Sequence, residues 1–250
     1  MKLGTPVAKG NTAQIYHYDN KIIKVFNDNL PKTESHYEAT IQKYAHSCGL
    51  SVPEVIDVTE IDGKQAIIME FIKGRTIGDI LSENLNQAEY YMTISIDIQQ
   101  GIHSIVTDSL VPMSVKLRRQ IKAAQQLDTR QKSVLLKKLD AMTHEKRLCH
   151  GDFHLFNLIK SDNDKVTIID WVDASAGDPR ADVYRTYLLY EQFSMELADM
   201  YLHLNCNKSG LSKDEIFQWA PIIAGARLSE NVSSESNERL MRIVENYCTL

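Results

Sequence analysis

The stretch LCHGDFHLFNLI, residues 148–159, decides the fold. It sets His150, Asp152, His154 and Asn157 close together between apolar flanks. Polar groups in apolar surroundings cost free energy unless something satisfies them. The segment therefore asks for a metal, a nucleophile or a phosphate. Just downstream, NLIK (157–160), the turn SDND (161–164) and KVTIIDW (165–171) have the pattern of a small hairpin, with Asp170 ending its second strand. In such a hairpin a loop aspartate, an asparagine five residues on and an aspartate at the end of the adjacent strand converge. Phosphoryl transfer from a nucleotide uses such a set. One carboxylate orients the acceptor hydroxyl and takes its proton, while an amide oxygen and a second carboxylate hold Mg²⁺ against the phosphates. Magnesium prefers oxygen ligands and takes few from protein. Asn157 and Asp170 suit it. The plainer alternative is that Asp152 and Asn157 only satisfy a turn.

His150, Asp152 and His154 also alternate, so on a regular strand they would share one face. His-Asp-His is sound ligand chemistry for zinc or a similar metal, which keeps a metal-dependent hydrolase as an alternative. Gly151 argues for a bend rather than a strand, and the remaining histidines form no second cluster. His150 then becomes a packed histidine whose ring bonds to backbone and shapes the loop.

Working back towards the start, residues 2–10 and AQIYHYD (13–19) are short strand candidates, Asp19-Asn20 a tight turn, and KIIKVF (21–26) a β-branched strand. Lys24 shares a strand face with Ile22 and Phe26. A lysine there rarely stays buried without a phosphate or carboxylate partner; on an edge strand it would instead snorkel to water. Residues 31–47 predict one helix, with Tyr37, Ile41, Tyr44, Ala45 and Cys48 as its apolar stripe. Gly49 is its C-cap, and Pro53 forbids continuation. Glu38 beside that stripe is the preferred partner for Lys24, ahead of Glu34. A competing local role places Ser35 and Glu38 in a capping box. EVIDVTE, IDG and KQAIIMEFI form a second hairpin. KGRTIGD, with two glycines, marks a hinge, giving a first lobe over 1–72 and a second over 73–250. From Ile77 on, amphipathic helical spacing dominates, interrupted only by the hairpin at 157–171. The expected class is α+β: a small antiparallel sheet with one helix, then a mostly helical lobe.

The chain has 250 residues, 43% hydrophobic and 24% charged, enough for a sizeable core. A net charge of −5 and no Lys/Arg stripe argue against a nucleic-acid partner. No apolar run reaches the roughly 20 residues of a membrane span. The opening MKLGTPVAKG lacks a signal-peptide core. Cys48, Cys149, Cys206 and Cys248 are widely spaced and form no CxxC, as expected of free thiols in a reducing cytoplasm.

Taken in order, HGDFHLFN, IIDW and GDPRAD resemble the aminoglycoside phosphotransferase and choline kinase family, a group of small-molecule kinases with a bilobal protein-kinase-like fold. The resemblance covers nearly the whole chain. It implies that Asp152 is the catalytic base and that Asn157 and Asp170 bind Mg²⁺. It implies that Lys24 contacts the α/β-phosphates and pairs with Glu38, and that Glu70, Phe71 and Ile72 form the adenine hinge. Gly10 and Thr12, in the loop AKGNTAQIY, would fold over the phosphates; a single glycine is a weak signal there. Asp178 and Asp182 would brace the helical lobe. The implied donor is ATP, or GTP, with Mg²⁺.

Only seven residues separate Asp170 from Asp178. A protein kinase places its activation loop after the metal aspartate, and there is no room for one. The expected acceptor is therefore a small molecule with a hydroxyl, such as an aminoglycoside, amino alcohol or sugar. Asp173, Arg227 and Glu230 are candidates to line its pocket. An acidic pocket suits a cationic acceptor, but Arg227 opposes one. Tyr184, Arg185, Tyr187 and Tyr190 in DVYRTYLLYEQ would supply an aromatic wall for a quaternary amine; their helical spacing favours core packing. A nucleotide-binding scaffold without activity is the non-enzyme alternative. Retention of Lys24, Asp152, Asn157 and Asp170 favours an enzyme, expected to be cytoplasmic and a monomer or homodimer.

Overall fold

Two dipeptides shape the first sheet. Asp19 and Asn20 have φ of 48° and 54°, and Asp62 and Gly63 have φ of 51° and 79°. Positive φ at both central residues is the geometry of two-residue turns whose twist matches that of paired strands. In this computed structural model, which describes residues 3–10, 12–143, 145–232 and 235–248, five strands form the sheet. They are β1 (Ala8–Lys9), β2 (Ala13–Tyr18), β3 (Lys21–Phe26), β4 (Val55–Ile61) and β5 (Lys64–Glu70). Their order is β1-β2-β3-β5-β4, antiparallel throughout. The strand expected over 2–10 shrinks to Ala8–Lys9. Pro6 has no N–H to donate, and the N–H of Val7 goes to Ile15. Lys2, its expected first residue, lies outside the described residues.

Helix α1 (Glu34–Ser47) packs on β4 and β5. It starts at Glu34 with Thr33 as N-cap, and Ser35 lies inside it, so the Ser35–Glu38 capping box does not form. Its buried face carries Glu38, Ala39, Ile41, Gln42 and Ala45, whereas Tyr37 is exposed. The expected apolar stripe is displaced because two polar side chains find buried partners. One of them, Gln42, donates to the carbonyl of Pro53 at 2.8 Å. Gly49, at φ 84°, closes the helix with an N–H to His46.

The glycines of KGRTIGD serve close packing. A Cβ on Gly74 would stand 2.4 Å from the carbonyl oxygen of Lys160, and one on Gly78 would stand 2.5 Å from the Phe156 ring. Strand β6 (Arg75–Thr76) and helix α2 (Ile77–Glu83) follow. After β7 (Arg147–Cys149), strands β8 (Leu158–Lys160) and β9 (Val166–Ile168) return to form the sheet β6-β8-β9. This pairing assigns the hairpin to the first of two compact units. That unit comprises the residues up to Asn84 together with Leu155–Asp173; Leu85–His154 and the residues from Ala174 on form the second.

The second unit is helical. It contains α3 (Ala88–His103), α4 (Met113–Ala123), α5 (Thr129–Ala141), α6 (Pro179–Phe193), α7 (Met195–Ser209), α8 (Lys213–Phe217), α9 (Ala220–Arg227) and α10 (Asn237–Cys248). Helix α9 is buried from Pro221 to Arg227, with α4, α5 and α10 packed around it. A short ladder between β7 and β10 (Ser175–Gly177) went unforeseen, since three-residue strands carry almost no periodicity. Tyr184 and Tyr187 pack on Phe217, and Tyr190 packs on Tyr201, so these aromatics are core. Among the described residues no helix is long and apolar enough to cross a membrane.

Candidate active site

In the first unit, β3 is a central strand, with β2 on one side and β5 on the other. Lys24 therefore cannot be an edge lysine reaching for water. Its Nζ lies 2.6 Å from Oε1 of Glu38 and 3.3 Å from Oδ1 of Asp170. Burial by itself would lower the Lys24 pKa, but Asp170 and Glu38 outweigh it and the net shift is upward. Burial also pushes the Glu38 carboxyl up, and Lys24 offsets this only in part.

The β8–β9 ladder continues one step past its last strand pair, Leu158–Ile168: the N–H of Ile169 donates to the carbonyl of Asn157 at 2.9 Å. Asp170 follows at φ 63°, in the left-handed region. The strand thus ends at Ile168, and Asp170 turns the chain out of it rather than ending it as expected. A non-glycine residue in that conformation is held there by its surroundings. Asn157 is buried and the Asp170 side chain is 42% exposed. An amide oxygen and a half-open carboxylate at one end of a hairpin make an all-oxygen donor set, which fits Mg²⁺.

Glu70 ends β5 and uses its N–H on the carbonyl of Glu54, while the Phe71 ring rests on His17 at 4.2 Å. Residues 70–72 line a cleft of about 400 Å³ within this unit. Gly10 and Thr12 lie in the β1–β2 turn. Gly10 donates to the carbonyl of Ala13, and the Thr12 carbonyl accepts from Asn27. Asp173 is half-buried at the end of this unit.

In the second unit, the loop that carries Asp152 is held from beneath. The buried carboxylate of Asp182 accepts the N–H of Gly151 at 2.8 Å and of His150 at 3.3 Å. His103 lies 2.8 Å from the same carboxylate. Burial would raise the Asp182 pKa, but these partners bring it down to about 2. Gly151 has φ 81°, so the chain bends there and the alternating face required of a His-Asp-His metal site is broken. His150 is fully buried, and its Nδ1 accepts the N–H of Asp152 at 3.3 Å. Among the described residues, the group of His, Cys and carboxylate side chains compact enough for a metal is His103, Cys149 and Asp182. Its carboxylate is already committed to the loop.

Asp152 has a basic side chain beside each oxygen. His154 Nε2 stands 3.5 Å from Oδ2, and Arg185 Nη2 stands 4.0 Å from Oδ1. Burial works to raise the Asp152 pKa, but His154, Arg185 and His150 outweigh it and hold the carboxyl well below the usual range. Arg185 in turn grips Glu230 through two bonds, of 2.8 and 3.1 Å. Arg227 is buried, with Nη1 2.9 Å from Glu230 and Nε 2.7 Å from Glu235. Glu235 also accepts from Arg239 at 2.5 Å. Arginines and carboxylates thus alternate from Asp152 inward. Arg185 and Glu230 are 45 positions apart in sequence, and no local pattern announces their pairing.

The sequence model of the phosphotransferase enzyme family matches residues 4–217. The chain belongs to the phosphotransferase enzyme family. Two solved structures share its fold. A thermostable mutant of aminoglycoside phosphotransferase APH(4)-Ia superposes with a TM-score of 0.73 at 15% identity, over 99% of this chain and 95% of that one. Choline kinase LicA from Streptococcus pneumoniae gives a TM-score of 0.65 at 16% identity, over 99% and 94%. Acyl-CoA dehydrogenase family member 11 of Homo sapiens is 27% identical over 191 residues, 64% of this chain. The chain spans about a quarter of the length of that relative. The architecture of this phosphotransferase-family chain is accordingly the protein-kinase-like one, with an antiparallel sheet unit and a mostly helical unit.

Proposed function

We propose that the protein transfers the γ-phosphoryl group of MgATP, or of GTP, to a hydroxyl of a small molecule. The observation that carries this is the placement of Asp152. Its loop is pinned by Asp182, and His154 and Arg185 keep its carboxylate ionised. A carboxylate fixed in place and ionised at neutral pH can orient an acceptor hydroxyl and take its proton. In this assignment the acceptor O–H gives its proton to Asp152 as the oxygen–phosphorus bond forms and the bond to the departing diphosphate breaks. Lys24, held by Glu38, contacts the α/β-phosphates. Residues 70–72 take the adenine edge, and the turn with Gly10 and Thr12 covers the phosphates. Asn157 and Asp170 would hold Mg²⁺, which supplies charge neutralisation for the phosphates.

Family membership and the spent His150 ring favour phosphoryl transfer over metal-dependent hydrolysis. The presence of Lys24, Asp152, Asn157 and Asp170 together favours an enzyme over an inactive scaffold. AMP in a crystal structure of LicA, and AMP-PNP with hygromycin B in one of APH(4)-Ia, support nucleotide use and a small acceptor. Asp173 remains the candidate for direct acceptor contact. Arg227 is engaged by Glu230 and Glu235, and Glu230 by Arg185, Arg227 and Gln120, so the acceptor class is open among aminoglycosides, amino alcohols and sugars. The four free thiols support a cytoplasmic location.

The test is a thermal-shift titration with ATP, GTP and ADP, with and without Mg²⁺. A ligand that binds only the folded state raises the melting temperature. A Mg²⁺-dependent rise, followed by ADP release with one acceptor class, is the expected result. No rise with any nucleotide, but one with Zn²⁺ or Mn²⁺ alone, would return the hydrolase.

A further inference from the structure

The carboxylate of Glu230 accepts four hydrogen bonds. Gln120 and Arg185 donate to Oε1 at 3.0 and 2.8 Å, and Arg185 and Arg227 donate to Oε2 at 3.1 and 2.9 Å. That many donors leave it one orientation. Through it, the guanidinium of Arg185 is held at two points, with Nη2 at 4.0 Å from Oδ1 of Asp152. This is near enough for the charges to stabilise one another and too far for a hydrogen bond. A guanidinium released at this distance closes on a carboxylate as a two-pronged pair. Such a pair would cover the lone pairs that a substrate hydroxyl has to reach.

We propose that Glu230 is a positioning residue for phosphoryl transfer: it restrains Arg185 from closing onto Asp152, so the arginine steadies the base without occupying it. This rests on the proposed role of Asp152 as the base. The restraint is itself backed. Arg227, which fixes Glu230 from the far side, is fixed by Glu235, which is gripped by Arg239. His154 lies on the opposite oxygen of Asp152, so Oδ1 is the atom that Arg185 would quench.

The test uses the full chain as Glu230→Gln, Arg185→Gln and the double variant, with MgATP turnover to ADP measured with water as the acceptor and Asp152→Asn as the blank. Glu230→Gln should lower kcat about tenfold, a fraction of what a general base contributes, and leave KM for ATP within about twofold. The double variant should be faster than Glu230→Gln, because the arginine that would cover the base is gone. A merely structural Glu230 gives the opposite order, with the double variant no faster than the single, and that order would sink the proposal. A crystal structure of Glu230→Gln supplies a readout independent of turnover. An Arg185 nitrogen within about 3.2 Å of the Asp152 carboxylate is expected; an unchanged separation overturns the restraint. If the wild-type chain turns over no MgATP under any condition, the proposed function fails, and the crystal structure still decides whether Glu230 restrains Arg185.

Discussion

Lys24 Nζ and Glu38 Oε1 lie 2.6 Å apart, joining a central strand to the helix that follows it, and Asp170 shares the same ammonium at 3.3 Å. One cation therefore serves two carboxylates, and the Glu38 carboxyl is nearly water-free. Burial raises its pKa even with the lysine present. An acid whose folded pKa lies above its unfolded value stabilises most at low pH and loses that stabilisation as pH rises through the folded value. Lys24→Met removes the counter-charge and should cost about 3 kcal/mol at pH 7. The cost should be smaller at pH 5, because the upward shift of Glu38 favours its protonated form as pH falls. Urea denaturation at both pH values measures this. Equal costs would show that the lysine does not compensate Glu38.

Asp152→Asn keeps the shape of the loop and removes the proton acceptor. Turnover should fall by about 10²–10⁴-fold, the usual worth of a general base. The melting-temperature rise with MgATP should persist, because the nucleotide contacts are assigned elsewhere. Near-normal turnover in this variant would remove Asp152 from the chemistry.

Asn157→Ala and Asp170→Ala each delete one of the two oxygen donors proposed for Mg²⁺. Either change should make the ATP-dependent thermal shift insensitive to added Mg²⁺, while the ordinary folding transition stays cooperative. A Mg²⁺-dependent shift of wild-type size in both variants would place the metal on other residues.

Asp182 is held at about 2 against an ordinary 3.8, through His103, the Gly151 N–H and His150 acting against burial. A depressed acid contributes stability that is present above its unfolded pKa and lost as pH falls through the folded one. The window is therefore about pH 4 down to 2, and the amount about 2 kcal/mol. Asp182→Asn should be less stable than wild type by that amount at pH 7 and nearly equal to it at pH 2. Guanidinium melts at a series of pH values would show the two curves converging.

Gly74→Ala sets a methyl 2.4 Å from a backbone oxygen, that of Lys160, which has no rotamer to escape through. The β6–β8 contact must open, at a cost of about 2 kcal/mol. Hydrogen exchange should then quicken at Arg75 and Thr76 and across β8, and stay unchanged in the helical unit. Wild-type stability would mean that the two strands have slack.

Much of the candidate site is legible in the sequence because the residues proposed for it stand at short, fixed spacings. Asp152 and Asn157 are five positions apart, and Asp170 follows across a hairpin whose turn, SDND, is itself local. The cost of burying a charge asks for a partner for Lys24, and the place of Glu38 beside the apolar stripe of the next helix makes it the preferred carboxylate. The hairpin dipeptides Asp19-Asn20 and Asp62-Gly63 require positive φ, and local sequence shows that too.

What local pattern could not show are relations whose partners are far apart in the chain. Arg185 grips Glu230 across 45 positions, and Asp182 supports Gly151 across 31. The displaced stripe of α1 also depended on remote partners: Gln42 is buried because the Pro53 carbonyl receives it. The return of 155–173 to the first unit rests on remote contacts, among them the pairing of β6 with β8 and the Ile168 N–H on the carbonyl of Ser51. Periodicity and motif report the preferences of neighbours in the chain. Which carboxylate a buried arginine finds is settled only when tertiary packing removes both from water, because the free energy of an ion pair depends on that desolvation and on distance.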